Sequence, residues 1–255
     1  MDIELKPFDL SGRKILVAGA SAGIGAVTAC FLSKLGAQLM LNGRDVDRLN
    51  LVIEKLDGQG HIPVPFDLSE LDKVPAWIKN VVCEHGPLDG IAYCVGMQTT
   101  LPVRSFNASH FDKIMHVNLG AAFALARGYR QRGCHSPNAS MVLVSSIAGF
   151  LGQPGNVVYG SSKAGLMSAA RGLAMEFLRD GIRVNSVAPA MIDTEMSKKA
   201  FAEMNAVQVE AILKRHPMGV GQPEDVAGPI AFLLSDASRW VNGANLTVDG
   251  AHMAG

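Results

Sequence analysis

The stretch Lys14-Ile15-Leu16-Val17-Ala18-Gly19-Ala20-Ser21-Ala22-Gly23-Ile24-Gly25 decides the fold of this chain. Lys14 to Ala18 reads as a short buried strand. Ile24 to Leu35 carries the apolar spacing of a helix, and Gly36 stops it. Between them stand the glycines at 19, 23 and 25. Each permits something a side chain would block: a tight turn, close approach of a phosphate, or tight packing of helix on strand. The helix N-terminus offers unpaired N–H groups and a positive dipole end to a pyrophosphate. Gly19, Ser21, Ala22, Gly23, Ile24 and Gly25 are therefore candidate dinucleotide contacts. The spacing is G-x-x-x-G-x-G rather than G-x-G-x-x-G, so its weight comes from lying between strand and helix. The same residues satisfy G-x-S-x-G, the nucleophile elbow of hydrolases. That elbow needs earlier strands to supply an oxyanion donor. Here the motif lies on the first strand, and chain order sets the hydrolase reading aside.

Outward from this turn, apolar runs alternate with helical patterns. Strands are expected at Gln38 to Leu41, Ile62 to Pro65, Gly90 to Val95, Met141 to Ser145, Arg183 to Ala188 and Leu246 to Val248. Helices are expected from Asp45, as cap, to about Leu56, and from a Ser69/Asp72 capping box to about Glu84. Others run from about His110 to Arg130, from Val157 to Leu178, and from Pro223 to about Leu234. Strand and helix in turn imply parallel strands with crossover helices. The strands are apolar without alternation, as expected when both faces are covered. The predicted fold is α/β: a doubly wound parallel sheet in a single domain over 1–255. The irregular stretch from Ala190 to Pro217, rich in Met, Ala and charge, reads as a mobile helical lid at about 190–217.

Composition narrows the function. The chain has 255 residues, 48% hydrophobic, with formal net charge zero. That suits one large core. It leaves no basic nucleic-acid footprint. Apolar runs such as Val226 to Leu234 are too short to span a bilayer. Met1 to Pro7 lacks the basic-then-apolar order of a signal peptide. The cysteines Cys30, Cys83, Cys94 and Cys134 form no C-x-x-C pair and read as reduced thiols of a cytoplasmic protein. The seven histidines are dispersed, so no metal site is expected.

The second strand ends in Leu41-Asn42-Gly43-Arg44. An NAD site usually carries a carboxylate there for the ribose hydroxyl. The tip has none, and Asp45 is better placed as a helix cap. Arg44 suits bidentate pairing with a ribose 2′-phosphate. NADP(H) is favoured, with NAD(H) the second option. Asp67, just after the third strand, is placed to accept from the adenine amine.

Tyr159 and Lys163 lie in Tyr159-Gly160-Ser161-Ser162-Lys163, four apart and so on one helix face. A phenol normally ionises near pH ~10. A neighbouring ammonium is expected to lower that value, making the pair a proton donor and acceptor.

Together these features resemble the short-chain dehydrogenase/reductase family, from about Leu10 to Gly250. Within it the chain is similar to 3-oxoacyl-(acyl-carrier-protein) reductases and related ketone reductases. The family's T-G-x-x-x-G-I-G appears with Ala18 in place of threonine. Its Y-x-x-x-K is Tyr159 and Lys163, its catalytic serine falls on Ser146, and its catalytic asparagine on Asn118. Arg183-Val184-Asn185, Pro189 and Thr194 match a further segment, with Ala190 replacing glycine. The family's N-N-A-G is here Tyr93-Cys94-Val95-Gly96, so Tyr93 and Cys94 must support the strand differently.

The resemblance implies hydride transfer between a nicotinamide and a carbonyl or secondary alcohol. Tyr159 would move the proton and Ser146 would hold the substrate oxygen. Lys163 would lower the Tyr159 pKa and bind the ribose. Asn118, at a break in the long helix, would hold a water serving Lys163. Asn42, Leu68, Val95, Gly96, Pro189, Ile192 and Thr194 are the further cofactor contacts. Homotetramer or homodimer assembly is the family's habit, with the Gly243 to Gly250 tail often packing it.

The substrate pocket is expected from the segments after the fourth and fifth strands and from the lid. Met97, Phe150, Met191 and Met196, with Phe201 and Met204, suit an apolar or mixed ketone or alcohol, including an acyl thioester. The alternative is a catalytically idle NADP-binding sensor or partner-binding protein. A sensor need not retain all four catalytic residue types, and this chain does.

Overall fold

Seven strands form one parallel sheet in the order β3-β2-β1-β4-β5-β6-β7 in the computed structural model, which describes residues 8–202 and 204–254. The strands are β1 (Lys14–Ala18), β2 (Gln38–Asn42), β3 (Ile62–Pro63), β4 (Leu88–Tyr93), β5 (His135–Val144), β6 (Arg183–Pro189) and β7 (Asn245–Val248). Successive residues of β1 face opposite layers. Ile15 and Val17 pack into one apolar cluster, Leu16 and Ala18 into the other. The first cluster lies under α1 (Gly23–Lys34), α2 (Val46–Ile53) and α9 (Pro223–Leu234). The second lies under α3 (Val74–His85), α5 (Ala121–Tyr129) and α6 (Val157–Glu176), with α4 (Ala108–Met115) leading into α5. The strand order reverses between β1 and β4. Their crossovers diverge there and leave a crevice at the carboxyl ends of the strands.

Several expected boundaries shift for local reasons. The Ser69/Asp72 capping box does not form. The Asp67 carboxylate accepts the Ser69 N–H at 2.9 Å, tight turns follow, and α3 begins only at Val74 with a proline in its first turn. Strand β5 begins at His135, because its polar start still pairs with Leu88 across a register shift. The helix expected from His110 to Arg130 is divided. A π turn at His116–Gly120 separates α4 from α5 and carries Asn118.

The region after β6 holds two helices, α7 (Glu195–Ala202) and α8 (Ala206–Lys214). Its two ends meet. Ile192 bridges Gly221, the Asp193 N–H donates to the Gly221 carbonyl at 2.8 Å, and the Gly221 N–H donates to the Met191 carbonyl at 3.0 Å. Among the described residues no helix is long and apolar enough to cross a membrane, and no group of His, Cys, Asp and Glu could hold a metal. The sequence reading of Met1 to Pro7 lies outside the described residues.

Candidate active site

The glycine turn opens a cleft of about 940 Å³. Helix α1 begins one turn of chain from the strand it packs on. A Cβ at Gly25 would stand 2.1 Å from the Gly19 carbonyl oxygen, so no other residue fits. Gly19 itself has φ +80°, the left-handed region. The N-cap of α1 is Ala22, which makes no side-chain cap, and the first turn holds no carboxylate. Its first N–H groups are left for an anion. Ser21, Ala22, Gly23, Ile24 and Thr194 line this end of the cleft. Thr194 faces Gly23, its methyl 3.6 Å from where a Cβ would stand.

Arg44, Asp67, Leu68, Val95 and Gly96 line the same cleft. Arg44 is exposed. The Ser69 backbone N–H holds the Asp67 carboxyl below its ordinary range, burial opposes this, and Arg44 adds to the lowering. Asn42 also borders the cleft, but its amide donates to the Val64 and Phe66 carbonyls at 3.1 and 3.2 Å. Its side chain pins the segment that follows β3. Arg48, which sequence reasoning passed over, reaches Glu195 of α7 at 3.6 Å.

Tyr159, Lys163, Ser146 and the lid line a second cavity of about 340 Å³, which shares Ile24, Cys94, Gly96 and Thr194 with the first. Helix α6 holds Tyr159 against the turn that presents Ser146. The contact depends on Gly160, where a Cβ would stand 2.6 Å from the Ala148 carbonyl oxygen. Ser146 caps a short helical turn, its Oγ accepting the Ala148 N–H at 3.2 Å. Its neighbour Ser145 is buried, and its Oγ donates to the Lys163 carbonyl at 2.8 Å. Ser146 is thus the serine that faces the cavity.

Lys163 is buried and donates from Nζ to the Val144 carbonyl at 2.9 Å. Burial lowers its pKa to about 8. Its ammonium stands 5.8 Å from the centre of the Tyr159 ring. The sequence reading expected this ammonium to lower the Tyr159 pKa. In the structure burial raises the phenol, and a hydrogen bond from Ser146 opposes that rise. The Lys163 ammonium itself is bonded to the Val144 carbonyl. The phenol is held protonated, as a proton donor requires.

The Asn118 side chain ties three segments together. Its Oδ1 accepts the Met97 N–H at 2.8 Å, and its Nδ2 donates to the Met97 carbonyl at 3.0 Å and to Ser162 Oγ at 2.9 Å. Tyr93 resolves the departure at Tyr93-Cys94-Val95-Gly96. Fully buried on β4, its hydroxyl donates to the Val117 carbonyl at 2.8 Å and approaches that of Asn118 at 3.4 Å. A π turn leaves carbonyls short of partners, and Tyr93 supplies one. Burial pushes the Cys94 thiol up to about 12, which disfavours its thiolate.

The substrate wall differs from expectation. Met191, Met196 and Met204 line the cavity with Pro189 and Ile192, and Met97 lines the larger cleft. Phe150 is 50% exposed and lies outside both, as does Phe201. Polar groups take their place: Gln98, Thr100, Gln153 and Asn156, with Arg215, His216 and His252. The histidines are not all dispersed. His216, just past α8, and His252, in the C-terminal tail, meet with ring centres 4.4 Å apart. Their separation in the sequence left no signal.

A dinucleotide crevice opening onto a Ser–Tyr–Lys cavity defines an oxidoreductase acting on CH–OH or C=O groups. Residues 19–251 match the family model described as enoyl-(acyl carrier protein) reductase. The chain is 34% identical over 244 residues to the 3-oxoacyl-(acyl-carrier-protein) reductase of Rickettsia conorii, covering 95% of this chain and 97% of the relative. It is 31% identical over 246 residues to the 5-keto-D-gluconate 5-reductase of Escherichia coli K12, covering 95% and 96%. A crystal structure of a gluconate 5-dehydrogenase from Burkholderia cenocepacia, in complex with NADP and tartrate, matches with TM-score 0.89 at 27% identity, covering 98% of this chain and 99% of that one. The chain belongs to the short-chain dehydrogenase/reductase family and is a ketoreductase-type oxidoreductase of that family.

Proposed function

We propose that the protein uses NADPH to reduce the carbonyl of a small-molecule ketone to a secondary alcohol. The observation that carries this reading is the opening of the glycine-turn cleft into the cavity lined by Ser146, Tyr159 and Lys163. The cleft fits a dinucleotide: the bare α1 terminus suits a pyrophosphate, exposed Arg44 a 2′-phosphate, and Asp67 an adenine amine. Val95, Gly96, Pro189, Ile192 and Thr194 would wall the nicotinamide half. The bound nicotinamide supplies a hydride.

The remaining steps belong to the chain. Ser146 donates a hydrogen bond to the carbonyl oxygen and polarises it. As the carbonyl carbon gains the hydride, Tyr159 gives its proton to the forming alkoxide, and the product is the alcohol. Lys163, charged below about pH 8, favours the phenolate left behind and holds ribose hydroxyls. Asn118 fixes the loop after β4 against α6, and a water at the π turn would return a proton through Lys163. α7 and α8 close over the cavity as a lid, hinged where Met191 to Asp193 meet Gly221.

Homotetramer or homodimer assembly belongs to the same reading. Exposed Phe111 and Phe123 on α4 and α5, and exposed Trp240 beside the β7 edge, offer apolar faces to further copies. Free cysteines suit the cytoplasm. The test is NADPH oxidation across ketones, β-ketoacyl thioesters and keto sugars. Consumption with at least one is expected. No consumption with any overturns the reading.

A further inference from the structure

The far wall of the reaction cavity is built differently from the rest. His216 and His252 are 7% and 9% exposed, so both are more than nine-tenths buried. Yet among the described residues His216 Nε2 has no hydrogen-bond partner, and the ring nitrogens of His252 have none beyond an approach to the Arg215 backbone. Buried polar atoms without partners are rare and costly. His216 Nδ1 donates to the Ile212 carbonyl at 2.8 Å, so its bare Nε2 carries a second hydrogen only when the ring is cationic. Arg215 lines the same wall, with its side chain reaching solvent.

The tail is folded to put His252 there. Gly250 has φ +54° and Ala251 φ +67°, a left-handed reversal that a β-carbon residue seldom adopts. The Asp249 carboxylate secures the reversal, accepting the Ala251 N–H at 3.1 Å and the Met253 N–H at 2.9 Å. Those bonds keep Asp249 occupied with the tail's backbone. Among the described residues no carboxylate side chain lines the cavity, although Asp249 stands close enough to act on His252, whereas Lys163, Arg215 and the two histidines do line it. A site lined by several basic groups, with no acid among its described lining residues, suits an anion. A volume of about 340 Å³ suits a short molecule.

We propose that Arg215, His216 and His252 form a carboxylate-binding subsite, so that the ketone reduced here is a compact keto acid. The inference rests on the ketone-reductase reading for the fate of the carbonyl, but not for the binding of the carboxylate. The carboxylate accepts from the Arg215 guanidinium and from His252. A proton taken up at His216 Nε2 supplies a further charge-assisted bond. A neutral ketone of the same shape leaves those nitrogens unpaired.

The experiment is calorimetric titration of the whole protein, with NADP⁺ present, using acid–amide pairs: 5-keto-D-gluconate, 3-oxobutanoate and 2-oxobutanoate, each against its amide. For at least one pair the acid should bind about ten- to hundredfold more tightly, the span of one or two charged hydrogen bonds. His216→Leu and His252→Leu should bring that ratio to within about threefold of unity. Arg215→Gln, on a side chain open to solvent, guards against misfolding and should lower the ratio about three- to tenfold. Equal binding of acid and amide in every pair, or no binding of any acid, overturns the proposal. So does a ratio unchanged in variants that still bind the amide. NADPH oxidation in the same samples separates the two readings. Acid preference without NADPH consumption strikes at the reductase reading and leaves the subsite standing.

Discussion

The two ends of the active cleft are assembled in opposite ways. The core of the cofactor end is local: Gly19 to Gly25 supply the turn and the bare helix terminus from one unbroken stretch, to which Arg44, Asp67 and Gly96 are added from elsewhere. The substrate end gathers Gln98, Gln153, Arg215 and His252 from distant parts of the chain. The first depends on backbone geometry, where a Cβ at one glycine would collide with a carbonyl. The second depends on side chains delivered by loops and a tail. A scaffold built this way can keep one chemistry and change its substrate by altering the distant wall alone.

Substitutions at the chemical centre should give the largest effects. Tyr159→Phe removes the proton donor, and kcat should fall by about three orders of magnitude or more while NADPH affinity stays within about twofold. Steady-state rates and NADPH fluorescence titration check both halves. Ser146→Ala should lower kcat by roughly two to three orders, the loss of one oxyanion donor. A near-normal rate would move the serine out of the reaction. At the cofactor end, Arg44→Ala should weaken NADPH about ten- to fiftyfold and NADH hardly at all. Equal losses would show that Arg44 does not read the phosphate.

The stability effects are smaller. Folding depresses Lys163 from its ordinary 10.5 to about 8. Between those values the folded chain holds fewer protons than the unfolded one, so stability rises with pH there, and the buried ammonium is a cost below that window. Lys163→Met should raise the unfolding free energy by about 1–3 kcal/mol at pH 7, with the gain gone above pH ~10.5, while turnover is lost. Urea titrations at both pH values decide it. Tyr93→Phe should cost about 1 kcal/mol, the worth of the bond to the Val117 carbonyl. A neutral result would mean that the π turn needs no such support.

The sequence is legible where one segment determines its own geometry. The alternation of strand and helix, the glycine turn and the Tyr159/Lys163 spacing all follow from residues close in the chain. It misleads where the partner comes from elsewhere. Lys163 stands near Tyr159 as the spacing requires, but the Val144 carbonyl on β5 takes its ammonium. Asn42 sits at the predicted strand tip, but two carbonyls of the segment just past β3 take its amide. Ser69 looks like a cap until Asp67 bonds it first. Phe150 lies in the right segment and faces outward. The His216/His252 contact joins the lid to the tail, and no local pattern announces it.

Hydride delivery to a carbonyl beside Tyr159 is tested most directly by isotope transfer. The protein is incubated with NADPH deuterated at the transferred C4 position and with each keto acid, and the alcohol product is analysed by mass spectrometry. The account predicts one deuterium on the carbinol carbon, lost together with product formation in Tyr159→Phe. Alcohol product without the label, or full labelling by Tyr159→Phe at the wild-type rate, would contradict it.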